Sequence, residues 1–106
     1  MNQINEKDWK LLRKRIPGWQ EAYMDRLNRE YVELLECDQP ASTKFWALDK
    51  RLREDKKKSG VVADMRRSRM NLILASLLAE GAITTSDLEG FSEELIAQVK
   101  CIAFME

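Results

Sequence analysis

A chain of 106 residues, 44% hydrophobic and 34% charged, has the size and mixture of one helical domain with a modest core and a charged exterior. It has no histidine, and Cys37 and Cys101 lack C-x-x-C spacing, so histidine-dependent nucleophiles are excluded and zinc or dithiol chemistry has no motif. Its eighteen basic and eighteen acidic side chains cancel, yet residues 44–69 set ten lysines or arginines against four acids (+6), and residues 70–106 one against six (−5).

In chain order, Asn5 is placed to cap a first helix, with Glu6 and Asp8 in its first turn and Trp9, Leu12 and Ile16 on one side. Pro17 and Gly18 read as a stop and a reversal. A second helix over Gly18 to Glu36 carries Trp19, Tyr23, Leu27, Tyr31, Leu34 and Leu35, a ladder of large side chains that needs cover. CDQPAS, from Cys37 to Ser42, is a loop.

Ser42 is expected to cap a third helix, Thr43 to Lys57, whose inward row is Phe45, Leu48 and Leu52. Trp46 lies one residue round from Phe45, among Asp49, Lys50 and Arg53. It either widens the apolar stripe or stands out as a binding anchor. The run Lys56, Lys57, Lys58, Ser59, Gly60 suits a helix C-terminus and needs no ligand to explain it.

A fourth helix is expected over Ala63 to Glu80, basic in its first half and nearly apolar all round from Met70 to Ala79. That second half should be a central buried helix or a dimer surface. Gly81 ends it. Thr84 with Asp87 signals a short helical turn over 85–89, Gly90 a break, and Ser92 the cap of a last helix from Glu93 to Phe104 with Leu95, Val99 and Ile102 inward. Ile83 with Leu88, and Phe91 with Ile96, stand as hydrophobic staples. No stretch alternates at period two, so no sheet is expected.

The best apolar run, Leu72 to Ala79, is far below the ~20 residues that span a bilayer. MNQINEKDW lacks the pattern of a secretory signal, so a cytoplasmic location is expected. The glycines are isolated at helix ends and form no phosphate loop. The carboxylate pairs Glu6 with Asp8 and Glu93 with Glu94 fall in first helical turns, where the macrodipole accounts for them.

The phrases IPGWQEAYMDRLNREY, FWALDKR and GAITTSDLEGFSEEL resemble a group of short proteins of gut Firmicutes that often carry the label "multidrug transporter". The similarity runs from about Trp9 to Lys100. It implies bacterial origin and small size and carries over no functional residue, and the transporter label conflicts with the hydropathy. LLAEGAITTSDLEGFSEEL also has the cadence of a helix-turn-helix, but its second helix offers Asp87, Glu89, Glu93 and Glu94 to phosphates that would repel them.

The expectation is therefore an all-α single-domain bundle over residues 1–106, with about five helices plus a short helical turn. Its core is drawn from Trp19, Tyr23, Leu27, Tyr31, Phe45, Leu48, Leu74, Leu77, Leu95 and Val99. The expected role is non-enzymatic, with no cofactor, metal or membrane: a small adaptor or inhibitor docking on an acidic protein through Trp46, Lys50, Arg53, Lys57, Arg66 and Arg67. The alternative is a nucleic-acid-binding accessory protein using the basic 44–69 segment. A homodimer through 70–79 is a further expectation.

Overall fold

The structure, a computed structural model, describes residues 5–104 and contains four α-helices, two 3-10 turns and, among those residues, no strand. The helices are α1 (Glu6–Glu36), α2 (Ala41–Asp55), α3 (Met70–Ala79) and α4 (Glu93–Ala103), with 3-10 turns at Arg67–Arg69 and Thr85–Leu88. The molecule is elongated, 55 × 29 × 23 Å.

Its axis is α1, 31 residues and about 46 Å long. The two helices expected on either side of Pro17 are one, which brings the expected five down to four. Proline inside a helix lacks an N–H and costs ~3 kcal/mol. Against that, Trp9, Leu12, Ile16, Tyr23 and Leu27 are all buried along one continuous stripe, with Trp19 partly covered between them. Each large side chain so buried contributes about 1.5–3 kcal/mol, and a break at residue 17 would turn half of them away from the core. Pro17 and Gly18 both lie on the solvent side.

A Cβ added at Gly18 meets nothing within 4 Å. Gly18→Ala should therefore stabilise the protein by about 0.5–1 kcal/mol, through helix propensity and a less flexible unfolded chain. In a thermal melt the midpoint rises by a few degrees; a fall would contradict a helix running through this position.

The first half of α1 packs with α3 and α4 around one core. Leu12, Leu74, Leu77, Leu88 and Val99 are its most deeply buried side chains. Helix α3 is the central element, with Met70, Ile73, Leu74, Ala75, Leu77 and Leu78 all buried. Its apolar surface is used within the fold, so the homodimer expected through 70–79 has little free face there; Leu72 alone among its large side chains is exposed. The helix starts at Met70 rather than Ala63, because residues 63–69 have no apolar period to bury; they run extended into the 3-10 turn.

The ends of these elements follow the sequence signals. Gly81, at φ 78°, closes α3: its N–H donates to the Leu78 carbonyl and that of Ala82 to the Leu77 carbonyl, a Schellman ending. Thr84 and Asp87 form a capping box on the 3-10 turn, and the staple residues Ile83 and Leu88 are both buried. Ser92 caps α4, accepting from the Leu95 N–H. The same serine donates from its hydroxyl (2.6 Å) and its N–H (2.9 Å) to the buried carboxylate of Asp8, which ties the first turn of α1 to the start of α4.

Candidate interaction surface

Beyond Tyr23, where Arg26 still reaches back to the Gly81 carbonyl at 3.1 Å, α1 packs with α2, which returns along it as an antiparallel hairpin projecting from the globular end. The seam between them is narrowly apolar, with Leu27 buried and Leu34, Leu48 and Tyr31 half-buried. It is held instead by a polar cluster. Asp55, only 3% exposed, accepts a 2.6 Å hydrogen bond from the Tyr31 hydroxyl and lies 3.5 Å from both the Arg51 guanidinium and the Lys58 ammonium. Arg51 also donates to Glu30 at 2.7 Å and covers the Tyr31 ring at 5.6 Å.

Burial alone would raise the Asp55 carboxyl, but the Tyr31 hydrogen bond, Arg51 and Lys58 together hold it below its ordinary 3.8. The Tyr31 phenol is pushed from 10.0 up to about 12, first by burial and then by its bond to Asp55.

A second lock stands at the base of the hairpin. The backbone N–H groups of Ser59 and Gly60 donate to the two carboxylate oxygens of Glu80 at 3.1 and 3.2 Å, while Gln20 donates to the Ser59 carbonyl at 3.1 Å. Gly60 lies flat on the buried Tyr23 ring. These contacts orient the hairpin against the globular end.

The hairpin leaves Val32, Leu35, Phe45, Trp46 and Leu52 uncovered. Phe45 and Trp46, 63% and 64% exposed, meet edge to face with ring centroids 5.0 Å apart. Phe45 and Leu52 were expected inward and are not: the side of α2 facing α1 carries Lys44, Leu48, Arg51 and Asp55, and Phe45 lies about a quarter-turn round from it. Helix α2 also begins at Ala41, without a side-chain cap, rather than behind Ser42.

Of the six residues expected to form one site, four do share a line. Trp46, Lys50, Arg53 and Lys57 are spaced i, i+4, i+7, i+11 along α2 and its continuation, and all are exposed. Arg53 pairs with Asp49 at 3.0 Å. Arg66 and Arg67 are elsewhere: Arg67 binds Glu6 (2.9 Å) in the first turn of α1, about 45 Å along that helix from its other end, near which Trp46 lies. Arg66 and Arg69 share the single carboxylate of Asp64, so with Glu6 two of the three positive charges of 64–69 are balanced.

No family model, curated protein or solved structure matches this chain. The surface is read from its own chemistry.

A shallow open cleft of about 420 Å³ lies between Arg15, Trp19, Ser86, Asp87, Glu89 and Gly90. Its one cation is already engaged: Arg15 donates to the carbonyls of Asp87 (3.1 Å) and Glu89 (2.5 Å) and stacks over Phe91. No group of three metal-capable side chains converges among the described residues. No helix among them is long and apolar enough to cross a membrane. Cys37 and Cys101 are both unpaired thiols, the first half-buried and the second exposed.

Helical spacing alone puts Trp46, Lys50, Arg53 and Lys57 on one line; Phe45 and Leu52 had been expected inward and Leu35 within the ladder that needs cover, while Val32 carried no expectation.

Proposed function

We propose that this protein is a non-enzymatic interaction module that docks through the outer surface of α2 on an acidic, helical protein surface. The observation that carries the reading is the exposed Phe45–Trp46 pair with Lys50 and Arg53 on the next two turns. Aromatic side chains and arginine dominate binding hot spots, and basic side chains around them favour an acidic counterpart and speed its approach. The rigid aromatic pair loses little entropy on docking, because the two rings already restrict one another.

Trp46→Ala tests this. Truncating a side chain that is nearly two-thirds exposed should change folding stability by less than about 0.5 kcal/mol. The variant, used as bait, should lose a protein that the native chain captures. A melting temperature lowered as for a core aromatic, about 3–5 kcal/mol, or an unchanged captured set, would refute the reading.

A further inference from the structure

The two sides of the α1–α2 seam differ. One is closed by the Glu30–Arg51 ion pair. At about 100° per residue, Leu35 and Val32 of α1 and Phe45 and Leu52 of α2 fall on the opposite side, with Trp46 leaning on Phe45 at its edge. Arg15 and Trp19, which hold the 84–91 segment, lie within about 60° of Glu30 on the α1 wheel, so the globular end leans away from the apolar side.

We propose that this open side is covered by a second copy of the chain, the two hairpins forming an antiparallel four-helix bundle with α1 of each protomer on α2 of the other. The inference goes beyond the docking reading above: the bundle uses Phe45, Leu52 and Lys56, about a quarter-turn from the side facing α1, and leaves Lys50, Arg53 and Lys57 pointing outward.

Charge complementarity selects this occupant and its orientation. Residues 20–36 carry five acids against two arginines, net −3, and residues 41–57 carry six basic side chains against three acids, net +3. A two-fold axis along the hairpin sets each acidic helix on a basic one, twice over; an axis across it would set α1 on α1 and repel. The register agrees. Glu30–Arg51 and Tyr31–Asp55 place Lys56 level with the stretch around residue 27, so the partner's basic end of α2 arrives at Asp25 and Glu21.

The area agrees as well. With aromatic side chains covering roughly 150–250 Å² each, the exposed fractions of the five residues amount to on the order of 400–500 Å² of apolar surface. A standard interface takes about 800 Å² from each partner, a little over half of it apolar.

Sedimentation equilibrium of the full chain across micromolar concentrations should give the mass of two 12.4 kDa chains at the upper end. Phe45→Ser with Leu35→Ser should give monomers of unchanged helix content. Lys56→Glu and Asp25→Lys, each alone, should weaken the dimer by about tenfold, since each disturbs two symmetric contacts. An equimolar mixture of these two variants should restore association, because in the mixed dimer both contacts pair unlike charges, one with its native residues and the other with the charges reversed.

A wild-type chain that stays monomeric at several hundred micromolar sinks the proposal, even if Trp46 still governs capture of another protein; in that case the docking reading survives alone. Dimers indifferent to the Phe45 and Leu35 changes, or charge variants that mixing does not rescue, sink it too.

Discussion

Gly60→Ala is expected to destabilise the protein by about 2–3 kcal/mol, a loss of roughly 10–20 °C in melting temperature. A Cβ on Gly60 would lie 2.3 Å from Cδ2 of Tyr23 and 2.8 Å from Cε2 and Cγ, inside any tolerable contact. Neither partner can give way. The ring is 4% exposed and lies against the Arg26 guanidinium, 5.0 Å from its centroid, while Arg26 itself is held by the Gly81 carbonyl at 3.1 Å. The Ser59–Gly60 backbone is clamped by Glu80 and Gln20. The added methyl therefore has to break the clamp or push the ring out of the junction between hairpin and globular end.

Shrinking the ring isolates the cause. In a Tyr23→Leu background the same Gly60→Ala change should cost less than about 1 kcal/mol, a non-additivity that denaturant titration of the four proteins measures. Additive costs, or a tolerated Gly60→Ala in the native background, would mean that the glycine–ring contact does not hold the two parts together.

This contact also shows what could be read in the chain and what could not. Helix ends depend on neighbours in sequence, so the Gly81 stop, the Thr84–Asp87 box and the Ser92 cap were legible. Pro17 was a local signal outvoted by a longer one: the stripe from Trp9 to Leu27 keeps its three-and-four spacing straight across it. Contacts such as Asp8 with Ser92, or Glu80 with Gly60, join residues 84 and 20 apart, and no periodicity encodes them. The same holds for the surface. The ridge Trp46, Lys50, Arg53, Lys57 follows from helical arithmetic alone, whereas the place of Arg66 and Arg67 depends on the path of the loop that carries them to Glu6. Phe45 misled because α2 is covered on one narrow side only, leaving large apolar residues beside the seam as well as within it.

Asp55→Ala should cost about 2–3 kcal/mol at neutral pH. Hydrogen bonds to a charged group contribute about 1.5–3 kcal/mol, and the lower end applies to Arg51 and Lys58, whose side chains remain 38% and 43% exposed. Because the α1–α2 seam has little apolar area, the loss should fall on α2 before the globular end. Hydrogen exchange would then show amides of 41–55 losing protection while those of 70–79 keep theirs.

The pH dependence follows from the same cluster. A carboxyl held below its ordinary 3.8 adds stability that is present above that value and disappears as pH falls through its folded-state value. The native chain therefore loses this contribution in acid, and the Asp55→Ala chain has none to lose, so the gap between the two narrows below about pH 4. At the alkaline end, a phenol raised from 10.0 to about 12 adds stability that is full below 10 and vanishes as pH rises through 12. Removing Asp55 takes away the hydrogen bond and the negative charge that raise Tyr31, so tyrosinate absorbance should appear at lower pH in the variant. An unchanged absorbance titration together with an unchanged acid limb would show that Asp55 does not organise the seam.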